Sequence, residues 1–185
     1  MDKKSFLQRG EGFLVLHPSV NRINTAMQAQ IYIDYQVFGD VSSLASADAA
    51  LVNLARTATA TAYAPYSGFK VAAAAQLQDG TLITATNQEN ASYPVGICAE
   101  RSLLATIGAL HPNAAIEVIA ISYKSAGGPD DKPVAPCGMC RQSLAEYAQR
   151  TSHAIRLLLA GQTGEIWSFQ NANSLLPFGF SGKDL

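Results

Sequence analysis

The sequence has no apolar run long enough to cross a bilayer: its most hydrophobic stretches, such as "AAIEVIAISY", are broken by polar or charged groups well short of about 20 residues. It also lacks a dominant charge. Lys and Arg number 13 against 14 Asp and Glu, a formal net charge of -1, so no global positive field is available to gather polynucleotide or anionic membrane. A small neutral partner is the expectation instead. Tryptophan occurs once, and histidine three times, at His17, His111 and His153, with no spacing that groups them as ligands. Cysteine is scarce as well. Three thiols are an odd number for a disulfide framework and fit a reducing, cytoplasmic compartment. Near the start, "FLVL" is too short for the apolar segment of a secretory signal. No internal repeat and no low-complexity segment is present. With 185 residues, 48% of them hydrophobic, the chain can bury one full core, and one principal domain is expected.

Residues 1 to about 27 show no sustained period, and Met27 is a possible alternative start. "IYIDYQVFGD" alternates Ile31, Ile33, Tyr35 and Val37 with other residues, which predicts an added edge strand. A 1–45 extension and a 46–185 domain are thus expected. From Ser46, taken as an N-cap, Ala49, Leu51, Leu54 and Ala55 carry helical spacing that Pro65 closes. "FKVAAAAQL" and "TLITATN" flank Asp79-Gly80, a strong hairpin signal. Cys98 opens a helical segment that stops near His111-Pro112, and "IEVIAISY" reads as a buried strand. The Gly-, Pro- and Asp-rich "KSAGGPDDKPVAP" leads to a helix beginning at "CGMC". "IRLLLAG" and "EIWSF" read as short closing strands, and the tail offers a helical turn and two exposed phenylalanines. Trp167 is assigned to packing. Strands alternating with helices predict an α/β fold, a mixed sheet with helices on both faces.

The chemistry concentrates on the cysteines. Catalytic zinc takes three protein ligands from the thiolate and imidazole class and leaves a fourth position to water, and Cys98, Cys137 and Cys140 supply that number. Cys137 and Cys140, three apart behind Pro136, place their sulfurs over one helical turn. Two helix N-termini would then aim N–H groups at the thiolates and favour their ionised form. Taken alone, "CxxC" is equally compatible with buried apolar cysteines or a redox dithiol. Glu100 bears on the choice. It follows Cys98 by two residues, is not needed as a ligand, and stands near enough to act on metal-bound water, although a glutamate in a first helical turn is also ordinary dipole chemistry. The combination C-A-E with a distant P-C-x-x-C is a zinc-deaminase signature in all-cysteine form.

On these residues, and on "AYAPYSGFKV", "NQENASYPVGICAER", "PCGMCRQ" and "LLPFGFSGKDL", the sequence resembles the cytidine deaminases of the small homotetrameric class. The resemblance spans roughly residues 46 to 185. It departs from the family at Ala72, where glycine is usual after "FKV", and in the longer N-terminal extension. It implies a three-layer α/β/α fold with a mixed sheet of about five strands. It further implies zinc-dependent deamination of cytidine and 2'-deoxycytidine to the uridine products in pyrimidine salvage, with Glu100 as proton shuttle. Arg101 would hydrogen-bond the cysteine sulfurs and offset the charge of three thiolates, while Arg141 is balanced between a similar duty and a solvated helix face. Asn87 and Glu89 would bind the ribose 3'-hydroxyl, Phe69 would pack on the pyrimidine, and Ala91, Tyr93 and Ala99 would complete the substrate site. Phe180 would enter a neighbouring subunit's site, so that a homotetramer has composite sites. Two other readings are an aminonucleoside antibiotic deaminase acting on blasticidin S, which lacks the "NxEN" block, and a zinc-stabilised binding module, which normally has four protein ligands. No nucleic acid and no membrane partner is expected.

Overall fold

The chain divides into two units, Met1–Gln30 and Ile31–Leu185, of which a computed structural model describes residues 27–185. Of the first unit only residues 27–30 are described, and they carry no regular element. The sequence readings for residues 1–26, His17 among them, lie outside the described residues.

Within the second unit the chain runs β1 (Gln36–Phe38), α1 (Ser46–Ala58), β2 (Lys70–Leu77), β3 (Leu82–Thr86), α2 (Ala99–Leu110), β4 (Ile116–Lys124), α3 (Gly138–Thr151), β5 (Arg156–Ala160) and β6 (Ile166–Phe169). The strands form one sheet in the order β1-β6-β5-β4-β2-β3, in which only β4 and β5 are parallel. The sheet is therefore mixed, as expected, but has six strands rather than about five. The added strand simply continues the ladder, with Val37 opposite Trp167.

Period-two alternation sorts the strand residues onto two cores. Ala73, Ala75, Ile119, Ile121, Leu157 and Leu159 face Leu103 and Ile107 of α2 and Leu144 and Tyr147 of α3. Ala74, Val118, Ala120 and Leu158 face Leu51, Val52 and Ala55 of α1 on the other side. Three layers result. Because both faces of β4 and β5 are covered, these strands read as continuous apolar runs, unlike a half-solvated strand. Ala72, the departure from the family pattern, is fully buried between Thr86 of β3 and Ser122 of β4.

Local signals explain most boundaries. Gly80, at φ 87, turns the β2–β3 hairpin while the Asp79 carboxylate accepts from the Thr81 amide at 2.9 Å. Two expectations shift. Ser46 is already helical, and the N-cap is Ala45, which supplies no side-chain bond. Pro65 lies beyond a short 3-10 turn, Thr59–Thr61, rather than at the end of α1. Cys98 and Cys137 are themselves the N-caps of α2 and α3.

Candidate metal centre and substrate cavity

The C-terminal ends of the parallel pair β4 and β5 open onto a cavity of about 520 Å3, the place where α/β sheets commonly hold ligands. Its floor is built by the two cysteine caps. Packing of α2 and α3 side by side on one sheet face brings Cys98 Sγ to 3.9 Å from Cys137 Sγ, and Cys137 Sγ to 3.4 Å from Cys140 Sγ. The three sulfurs all lie within 4.8 Å of one another. Two thiolates on one tetrahedral zinc, each about 2.3 Å from the metal, stand about 3.8 Å apart, so the donor set fits the ion. Its proton chemistry fits as well. The Cys98 thiol is drawn down to about 6, first by its hydrogen bond with Cys140 and also by the Arg101 charge, while the same bond and burial push Cys140 up. None of the three forms a disulfide.

Glu100 follows on the first turn of α2 and is 5% exposed. Burial raises its pKa, offset in part by its own backbone N–H and the Cys140 thiol. A carboxyl group poised above its ordinary range beside a three-thiol cluster can both take and return a proton. Arg101 points elsewhere. It makes no hydrogen bond to a sulfur and acts on Cys98 through its charge, while its side chain lines a groove between α2 and α3. Arg141 is better engaged than a solvated helix face would be: its Nε donates to the Pro136 carbonyl at 2.8 Å and its Nη1 to the Leu175 carbonyl at 3.1 Å. It thereby ties the Cys137–Cys140 turn to the C-terminal segment.

The block at 87–97 forms the opposite wall. Gln88 exchanges both backbone hydrogen bonds with Ile97 at 3.0 Å, and Glu89 N donates to Tyr63 O at 2.8 Å. Asn87, Gln88 and Glu89 all line the cavity. Both ends of the Asn87 side-chain amide are engaged by the chain around β2: Oδ1 accepts from Val71 N at 2.8 Å and Nδ2 donates to Phe69 O at 2.9 Å. Glu89 accepts from Ser67 Oγ at 2.5 Å, from Tyr66 N at 2.9 Å and from Ser67 N at 3.3 Å, and these donors, the Ser67 hydroxyl first, hold its pKa below the ordinary carboxylate value.

Phe69, Tyr93 and Ala99 also line the cavity, whereas Ala91 and Phe180 do not. Phe180 is 61% exposed, and its carbonyl accepts from Gln142 Nε2 at 2.8 Å. His111 caps α2, and His153 lies against Gln78 and Glu117, both away from the cavity. Sequence reasoning did not single out Ser67, Tyr123, Val134 or Met139, all of which line it. Tyr123 stacks on Phe69 with ring centroids 4.9 Å apart, a contact set by the β2–β4 register. Val134 arrives on the 125–136 loop, which is pinned where a side chain at Gly161 would strike the Asp130 carbonyl. That carbonyl accepts from Gln162 N at 2.7 Å. Among the described residues no Lys or Arg lines the cavity.

Residues 45–155 match the family described as the cytidine and deoxycytidylate deaminase zinc-binding region. A cytidine deaminase of Halalkalibacterium halodurans is 36% identical over 124 residues, 67% of this chain and 86% of the relative. One from Sporosarcina psychrophila is 34% identical over 137 residues, 73% and 92% of the two chains. Among solved structures, a cytidine deaminase of Burkholderia pseudomallei superposes with a TM-score of 0.61 at 37% identity, covering 71% of this chain and 97% of that one. The cytidine deaminase of Mycobacterium leprae gives 0.55 at 32% identity, over 72% and 98%.

Proposed function

The chain belongs to the cytidine and deoxycytidylate deaminase family, and from that premise we propose that it hydrolyses the exocyclic C–N bond of cytidine and 2'-deoxycytidine, giving uridine or 2'-deoxyuridine and ammonia. The observation that carries this reading is the buried Glu100 carboxyl beside three converging thiols at the floor of a nucleoside-sized cavity. Cys98, Cys137 and Cys140 would hold zinc, whose Lewis acidity makes water a nucleophile at neutral pH. Glu100 takes a proton from the attacking water and delivers it to ring N3, so that C4 accepts the hydroxyl. A second transfer protonates the amino group, which leaves as ammonia. Phe69, stacked on Tyr123, offers the pyrimidine an apolar flank, and Glu89 and Asn87 face the sugar. Ala91 is assigned to the sugar-side loop and Arg101 to charge compensation at Cys98.

A cavity wall without Lys or Arg favours nucleosides over nucleotides. Incubation with cytidine, 2'-deoxycytidine and their 5'-monophosphates, followed by product absorbance and ammonia release, checks this. Both nucleosides should turn over and the monophosphates poorly. A preference for the monophosphate, or no ammonia from any of them, defeats the assignment. No helix among the described residues is long and apolar enough to cross a membrane. With three free cysteines, a cytoplasmic setting is the proposal. We keep residues 1–45 as an extension to a 46–185 zinc domain, which the family match at 45–155 supports.

The proposed assembly is a homotetramer with shared sites. Phe180 lies outside its own chain's cavity and exposes apolar surface that a monomer gains little by showing. Co-refolding Glu100→Ala with Phe180→Ala tests the exchange. In mixed oligomers some sites combine an intact Glu100 with an intact neighbouring Phe180, so activity per protein should rise above the mean of the parents. An active monomer, or mixed oligomers with no recovery, places Phe180 in service of its own chain only.

A further inference from the structure

We propose that Ser67 is a positioning residue whose hydroxyl fixes the Glu89 carboxylate and ties it to the Phe69 backbone, so that a sugar hydroxyl meets an acceptor already set in place. The inference rests on the nucleoside reading above and deepens it. Ser67 Oγ has two partners at once: it accepts from Phe69 N at 2.9 Å and donates to Glu89 Oε1 at 2.5 Å. The first bond consumes a lone pair and orients the hydroxyl, which leaves its proton for the carboxylate. Gly68, at φ 65, lets the chain turn between these two donors, and a side chain there would press on Ala126. Glu89 Oε2 is filled by the amides of Tyr66 and Ser67, so both oxygens are anchored to one turn.

A carboxylate oxygen has room for two donors, and among the described residues only Ser67 occupies Oε1. One acceptor position therefore remains, on the oxygen that Ser67 orients, and both residues line the cavity. The rotamer freedom that a glutamate normally surrenders on binding is here given up on folding, which is the physical content of preorganisation.

The test compares wild type, Ser67→Ala and Ser67→Thr on cytidine and on 3'-deoxycytidine, which lacks the hydroxyl that Glu89 would receive. Removing one charge-assisted hydrogen bond should raise KM for cytidine about tenfold with kcat little changed, leave KM for 3'-deoxycytidine nearly unaltered, and be reversed by threonine. A second readout needs no turnover: the Glu89 carboxyl, followed by carbon-13 NMR, should titrate at higher pH in Ser67→Ala and return in Ser67→Thr. A serine that merely capped the 67–69 turn would, on replacement, lower Tm and weaken both nucleosides alike, and that outcome overturns the proposal. So does an unchanged Glu89 titration. Wild-type protein that binds no cytidine at all is a different failure, since it removes the nucleoside reading itself.

Discussion

Glu100→Ala is expected to keep its zinc and its fold and to lose on the order of 10⁴ in kcat, the upper range for removing a positioned acid-base group. The reason lies in where the carboxyl sits. Glu100 is 5% exposed, and no salt bridge satisfies it among the described residues. Burial of a carboxylate without an ion-pair partner costs stability, which argues against a structural purpose for it. Alanine, the best helix former, fits the first turn of α2. Thermal unfolding of the variant should therefore occur no lower than in wild type, while zinc content by elemental analysis stays at one per chain. The combination is diagnostic: retained metal, retained Tm and lost turnover mark a proton-transfer group, as a ligand would take the zinc with it. Loss of zinc in Glu100→Ala would move this residue into the coordination sphere and sink the assignment.

How much of this was legible in the residues differs by element. The β2–β3 hairpin was readable because Asp79-Gly80 is a local device that needs no partner beyond its own turn. The edge strand was only partly readable. Alternation extends over Ile31–Val37, yet the ladder includes only Gln36–Phe38, because β6, the strand it must pair with, is just Ile166–Phe169. Residue Tyr35 instead stacks its ring on Phe169 at 5.2 Å, a side-chain contact that a period-two pattern cannot distinguish from pairing. Similarly, the three cysteines and Glu100 could be picked out since each motif fixes its own helix start, and one family arrangement explains both. Tyr123 could not be picked out, as its contact with Phe69 depends on the register of β2 against β4. Arg141 was balanced between two duties in the sequence. Its bonds to the Pro136 and Leu175 carbonyls arise from the fold bringing the C-terminal segment back over α3.

Cys137→Ala should give the second large effect, and its exposed side chain makes it the cleanest of the three proposed ligands to remove. Cys140 is fully buried, so alanine there would leave a core void and confuse packing with coordination. At Cys137 no such void forms, and any change in stability reports the lost thiolate. Outer-shell partners of a metal already contribute about 10- to 100-fold in affinity, so deleting one of three protein ligands should cost at least about 10²-fold. The variant should be purified with well under one zinc per chain and with cytidine turnover near background. Because metal bound only by the folded state stabilises it by linkage, chelator should lower the Tm of wild type. The Tm of Cys137→Ala should already be lowered and should no longer respond to chelator. That insensitivity separates metal loss from general damage, which would lower Tm while leaving the response intact. One zinc per chain in Cys137→Ala, with an undiminished chelator response, would mean that the sulfurs at 3.4 and 3.9 Å are neighbours by packing and hold no ion together.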